Sequence, residues 1–220
     1  MAEPRLFGEK MNTAVYIDAL NLYYGCVRGT KWKWLDVGKA VEASIEAPMQ
    51  VHKIKYFTAR IDGRVDQDAP RRQDVYLRAI RSHDARVEII EGKFKRHKKR
   101  YPEVNSGIPT SVWVPEEKGS DVNFCVHLLH DAWRDQFERA ILVTNDSDMA
   151  EAIRLVRSQF PDKELVLLTP GVSRKPSKNL RQFVTSHFWI TPNIIQNAQL
   201  PNPIINNPRL SKPEAWNTVY

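Results

Sequence analysis

The chain has 220 residues, of which 42% are hydrophobic, 27% charged and 10% aromatic, a globular composition that excludes wholesale disorder. Its length exceeds the usual domain of about 100–150 residues without reaching two of them, so one core with an appendage is expected. A net charge of +7 favours polyanionic partners, and apolar stretches such as 140–143 and 165–168 are four residues long, far below the roughly 18 of a membrane span.

Residues 1–18 carry acidic groups early and no apolar run of signal-peptide length, so a cytoplasmic protein with no membrane association is expected. The two cysteines, Cys26 and Cys125, lie in apolar neighbourhoods and read as buried free thiols, not a disulfide or a zinc pair.

Short runs rich in Val, Ile, Leu and aromatics alternate with stretches of helical period, the pattern of an α/β fold whose parallel sheet is covered by helices. The first run, 13–17, ends at Asp18 and enters a helix-like segment. Runs at 51–59 and 87–91 follow, with a helix over 71–81 between them that turns Val75, Ala79 and Ile80 to one side. A fourth run, 112–114, precedes the polar stretch 116–121. After it Val122, Cys125, Val126, Leu129 and Trp133 recur at intervals of three and four, marking an amphipathic helix opened by Ser120 or Asp121. The fifth run, 140–144, delivers Asn145, Asp146, Ser147 and Asp148 and then a helix with Met149, Ile153 and Val156 inward. The sixth, 165–168, breaks at Thr169-Pro170-Gly171, and 183–190 holds one more strand. From Thr191 the chain turns to Pro and Asn, so 1–190 is expected as the domain and 191–220 as an extended arm.

In an open α/β sheet, ligands bind beyond the carboxyl ends of the strands. Asp18 follows the first run, Asp146 and Asp148 follow the fifth, and Asp121 opens a helix whose preceding strand is expected to run into the same edge. Two like charges about 4 Å apart repel by roughly 4 kcal/mol at an effective dielectric of about 20, so converging carboxylates call for shifted pKa values or a cation. An all-oxygen set suits Mg²⁺ or Mn²⁺. Each aspartate alone is equally a helix-cap residue; the conjunction of three places points to a site. Aspartyl phosphatases and nucleotide-sugar transferases also carry Asp-x-Asp after a strand, but Ala150 stands where the phosphatases have Thr or Val. No G-x-G-x-x-G follows the first strand and no G-x-x-x-x-G-K-[ST] occurs, which argues against dinucleotide and P-loop sites.

Residues 93–100 hold six basic groups, Lys93, Lys95, Arg96, Lys98, Lys99 and Arg100, with Phe94 and Tyr101 as candidate stacking rings. Sequence does not orient this run, which is either a solvated loop or a tract that steers nucleic acid to the acids. Arg60, Arg71 and Arg72 are further basic candidates. His127 and His130 share a helix without a third ligand, and Trp32 and Trp34 read as packing over the sheet edge or as a stacking surface.

Three segments, 15–25 with Asp18 and Asn21, 117–123 with Asp121, and 143–148 with Asp146 and Asp148, resemble in order the motifs of NYN domains, in particular the LabA-like branch of the PIN-like nuclease superfamily. Ala19 stands where many members have Gly, and Lys212-Pro213-Glu214-Ala215-Trp216 is similar to a tail of close relatives. The resemblance implies a PIN-like, Rossmann-like three-layer αβα fold with a mainly parallel sheet. It also implies a metal-dependent endoribonuclease pocket in which Asp18, Asp121, Asp146 and Asp148 are catalytic and hold one or two Mg²⁺ or Mn²⁺. Asn21, Thr144, Asn145 and Ser147 then orient the acids, and Lys118 neutralises a phosphate oxygen. RNA, or else single-stranded DNA, is the implied partner, and homo-oligomer formation stays open. The alternatives are a non-catalytic nucleic-acid-binding or regulatory module, or a 6-hydroxy-3-succinoylpyridine 3-monooxygenase, as some relatives of this branch are assigned. The sequence carries no flavin or nicotinamide fingerprint and no two-His-one-carboxylate motif for the latter.

Overall fold

A computed structural model describes residues 11–45, 49–63, 66–104, 107–173 and 175–218, without the side chains of 94, 95 and 115–117. In chain order the elements are β1 (Met11–Asp18), α1 (Ala19–Leu22), a π-helical turn (Tyr23–Val27), α2 (Val37–Ser44), β2 (Met49–Ala59), α3 (Ala69–His83), β3 (Val87–Pro102) and β4 (Pro109–Lys118). There follow α4 (Ser120–Trp133), β5 (Arg139–Val143), a 3₁₀ turn (Ser147–Met149), α5 (Ala150–Gln159), β6 (Glu164–Pro170), α6 (Lys178–Arg181), β7 (Ser186–Ile190) and α7 (Pro192–Asn197). The sheet order is β4-β3-β2-β1-β5-β6-β7, parallel throughout except between β3 and β4. The expected α/β fold with a mainly parallel central sheet is therefore present.

The central strands are apolar on both faces because helices cover both, as a parallel sheet demands. Val15, Ile17, Ile141, Val143, Val166 and Leu168 face a cluster shared with α2, α3 and α7. Ala14, Tyr16, Ala140, Leu142, Leu165 and Leu167 face the opposite cluster, shared with α4, α5 and α6. The strand order runs outward from β1 in both directions, so the reversal lies between β1 and β5, and a crevice opens beyond their carboxyl ends.

Two expectations need correction. The run at 112–114 is not a further parallel strand: it belongs to β4, which pairs antiparallel with the distal part of β3. Residues 87–92 of β3 lie in the parallel sheet beside β2, whereas 93–102 continue past its carboxyl edge and fold back through 109–118 as a two-stranded ribbon. The basic run is thus a strand and not a loop, and the chain reaches Asp121 by returning to the carboxyl edge from outside. Backbone pairing holds a polar strand where no apolar alternation marks one.

The second correction concerns the phase of α4. Its buried stripe is Phe124, Leu128 and Ala132, while Val122, Val126 and Trp133 are exposed. Asp131 fixes this rotation. Its Oδ2 accepts hydrogen bonds from the Tyr16 hydroxyl and the Lys55 ammonium, each at 2.6 Å, and His127 Nδ1 lies 3.1 Å from the same ammonium. Burial first, and Asp131 second, push the Tyr16 phenol far above its ordinary value, so it remains a donor. A buried charge must meet its partners, and the helix turns to bring it there.

The segment after Thr191 packs along the domain. Ile195, Ala198, Leu200, Ile204 and Leu210 are buried in the first cluster, and Trp216 packs against Trp34 and Tyr76. Trp34 Nε1 donates to Pro201 O at 3.1 Å, which ties the arm to the segment after the first motif. Trp34 is accordingly a core residue and Trp32 is half-buried.

Candidate active site

β1 delivers Asp18 to the crevice on the side of Tyr16, and β5 delivers Thr144 beside it. Asp18 caps α1, its Oδ1 accepting the Asn21 amide proton at 2.9 Å. Its Oδ2 accepts from the Thr144 hydroxyl at 3.0 Å, and that hydroxyl oxygen accepts in turn from the Asp146 amide at 3.1 Å. Asp146 Oδ1 takes the Asp148 amide at 3.0 Å, which winds the 3₁₀ turn that presents both acids. Asn21 Oδ1 accepts the Asn145 amide at 3.1 Å. The Asn145 side chain donates to Lys175 O at 3.1 Å and accepts from the Ser177 amide at 2.7 Å. The first and third acidic segments are thus stitched together by Asn21, Thr144 and Asn145.

Asp121 lies in the first turn of α4, half-buried, and α4 and α5 cover the same face of the sheet. Asp18 is only 6% exposed. Burial pushes its carboxyl up to about 6; the Asn21 amide and Thr144 hydroxyl pull down, and the Asp121 and Asp146 carboxylates add to the rise. Burial also raises the Cys125 thiol, as do Asp121, Asp146 and Asp148, so the acids share one electrostatic neighbourhood. Among the described residues, no three His, Cys, Asp or Glu side chains close on one point as they would around a fully protein-ligated ion.

Other sequence candidates are placed as follows. Lys118 is exposed at the end of β4, opposite Lys93, and Ser147 is exposed in the 3₁₀ turn. Lys93, Lys98, Lys99 and Arg100 are exposed on the ribbon, Arg96 pairs with Asp62 at 3.0 Å, and the side chains of Phe94 and Lys95 lie outside the described residues. Arg60 is bound to Asp74 and Glu91, and Arg72 to Asp66. Cys26 and Cys125 are half-buried and form no disulfide.

Sequence reasoning missed the support behind the site. Gly25, in the π-helical turn, is so close to the end of β6 that a Cβ there would lie 2.7 Å from both Cβ and O of Pro170. The chain then passes through Gly171 to Lys175 and Ser177, whose backbone grips Asn145. Backbone partners leave no mark in a sequence, although Gly25 and Pro170-Gly171 are the kind of residues that close approach demands.

The family model of the NYN domain matches residues 12–190. The chain belongs to the NYN domain family. NYN domains are of the nuclease type and bind nucleic acids, and such nucleases generally depend on divalent metals. This NYN domain chain is 33% identical to 6-hydroxy-3-succinoylpyridine 3-monooxygenase HspA of Pseudomonas putida (strain DSM 28022 / S16), over 96% of its own length and 77% of that protein's. A crystal structure of a Vibrio parahaemolyticus protein of unknown function shares its fold, with a TM-score of 0.50 and 18% identity over 84% of this chain and 96% of that one. No helix among the described residues is long and apolar enough to cross a membrane.

Proposed function

We propose that the chain is a cytoplasmic, divalent-metal-dependent endoribonuclease that hydrolyses RNA phosphodiester bonds at Asp18, Asp121, Asp146 and Asp148. The observation that carries this reading is the link from Asp18 through the Thr144 hydroxyl to Asp146 at the strand-order reversal, with Asp121 near enough to raise the same carboxyl. The donor set fits Mg²⁺ or Mn²⁺: all donors are carboxylate oxygens, and a carboxyl raised to about 6 among like charges is relieved by a hard cation. Mg²⁺ keeps several waters and needs only one or two direct carboxylates, so the acids need not close on one point. The four aspartates would hold the ion, which when bound lowers the pKa of a water and offsets charge on the phosphate.

The chain's own groups then have distinct tasks. Asn21 and Thr144 occupy one oxygen each of Asp18 and fix its plane. Asn145 anchors the turn that carries Asp146, Ser147 and Asp148, and Lys118 is assigned to a phosphate oxygen. The ribbon's basic residues attract the RNA backbone by counterion release. The test is Mn²⁺-dependent cleavage of single-stranded RNA, which Asp146→Asn and Asp18→Asn abolish while the far-ultraviolet spectrum stays native. Undiminished cleavage in both variants refutes the assignment.

A second reading, ring hydroxylation as in the Pseudomonas relative's name, has that 33% identity in its favour. It needs an electron donor, and the sequence has no dinucleotide fingerprint. Turnover of 6-hydroxy-3-succinoylpyridine with a reduced nicotinamide or flavin supplied would select it.

A further inference from the structure

The β3–β4 ribbon has two faces, and the register decides what each carries. Directly paired residues of an antiparallel ladder share a face, and alternate residues along a strand change face. Lys98 pairs with Trp113 and Arg100 with Ser111, so Trp113 stands on one face with Lys98 and Arg100. His97 pairs with Val114, Lys99 with Val112 and Tyr101 with Thr110, so Tyr101 belongs to the other. Trp113 is 58% exposed, an indole that a packed core would have buried.

The alternation of β3 also says which face meets the acids. Ile90 packs in the cluster beneath α4, the same side of the sheet as Tyr16 and hence Asp18. Counting on by twos puts Lys98 and Arg100, and with them Trp113, on the ribbon face that continues that side of the sheet, a face that the ribbon's twist turns along its length. The ten pairs beyond residue 92 give the ribbon a length of roughly 30 Å, which spans several nucleotides. A planar ring flanked by cations on a projecting basic surface suits a polyanion with unpaired, stackable bases, whereas a duplex offers only its phosphates.

We infer that Trp113 is a base-stacking platform, with Lys98 and Arg100 as its phosphate contacts, that receives single-stranded nucleic acid bound for the acidic crevice. This rests on the nuclease reading above. Trp113 holds a base by its apolar face, the flanking cations hold the backbone, and the strand leads along the ribbon towards its base at Lys93 and Lys118.

The experiment uses the full chain carrying Asp146→Asn, so that binding is measured without turnover, and a fluorescent oligouridylate read by anisotropy across a salt series. Adding Trp113→Ala weakens binding by about fivefold to a hundredfold at every salt concentration and leaves the slope of log K against log salt unchanged. Trp113→Phe recovers most of the loss. Lys98→Ala lowers the slope by about one, Tyr101→Ala has little effect, and a duplex of equal length is insensitive to Trp113→Ala. Unchanged affinity on Trp113→Ala, an equal loss on Tyr101→Ala, or an equal loss for the duplex overturns the platform while the nuclease reading stands. Failure of both the Asp146→Asn parent and the unsubstituted chain to bind the oligonucleotide at all overturns both.

Discussion

Thr144 and Asp18 are 126 positions apart in sequence and joined by a 3.0 Å hydrogen bond in which the buried threonine hydroxyl donates to the carboxylate. The same oxygen accepts the Asp146 amide, so one hydroxyl links the acid at the end of β1 to the acid that opens the 3₁₀ turn after β5. Thr144→Val keeps the volume but removes both bonds. Asp18 loses a donor that holds its carboxyl down, and the Asp146 amide loses its acceptor. Cleavage is expected to fall about 10- to 100-fold, with the acid limb of the pH–rate profile moved upward, and Thr144→Ser to restore both. A Thr144→Val variant with an unaltered rate and profile would show that the hydroxyl only fills space.

The Asp18 carboxyl gives a stability signature of its own. In the metal-free fold it keeps its proton up to about pH 6, whereas an unfolded aspartate releases it near 4. Folding therefore takes up a proton between these values, and stability falls as pH rises through that window and levels off above it. Asp18→Asn removes the loss: the variant is expected to be more stable at neutral pH by up to about 3 kcal/mol, a gain that vanishes below about pH 4. Mn²⁺ should raise the melting temperature of the parent and not of Asp18→Asn. Denaturant titrations at three pH values, with and without the ion, decide the matter.

What the sequence makes legible follows from where pattern and burial coincide. Asp18 and Asp146 can be read because each follows an apolar strand that helices cover on both faces, and the carboxyl end of such a strand is where a lone acid stands out. The ribbon cannot, because Lys93 and residues 97–100 are exposed and the run has no apolar alternation to display. The phase of α4 is ambiguous for a different reason: Val122, Val126 and Trp133 keep helical spacing as well as Phe124, Leu128 and Ala132 do. Only the partners of Asp131 on β1 and β2 choose between the stripes. Leu200, Ile204 and Leu210 are isolated among Pro and Asn, without a period, so their burial becomes visible only when Trp34 and Tyr76 are in place beneath the arm.

The Asp131 network also predicts a large and non-additive stability effect. Asp131 and Lys55 are both buried, and Asp131→Ala leaves an ammonium and the Tyr16 hydroxyl without their acceptor. A cost of about 3–5 kcal/mol is expected, since the uncompensated charge outweighs the lost bond. Lys55→Met combined with Asp131→Leu should cost less than Asp131→Ala alone, because no buried charge remains. Urea unfolding of the parent, Asp131→Ala, Lys55→Met, Asp131→Leu and the double variant measures it, and a double variant as unstable as the sum of Lys55→Met and Asp131→Leu would mean the two groups act independently.

Gly25 and Gly29 separate crowding from backbone strain. Gly29 has a φ of 73° and open space around it, so Gly29→Ala costs about 1–2 kcal/mol of left-handed strain and nothing beyond the turn. At Gly25 a methyl group meets the Pro170 carbonyl, and either the π-helical turn or the end of β6 has to yield, at about 1–3 kcal/mol. The displacement passes down the chain from Pro170 to Lys175 and Ser177, which hold Asn145, and from Asn145 to the turn bearing Asp146. Gly25→Ala is therefore expected to lower kcat several-fold and Gly29→Ala to leave it unchanged, although their unfolding midpoints shift by similar amounts. Equal kcat in the two variants would show that the crevice does not depend on the contact between the first motif and β6.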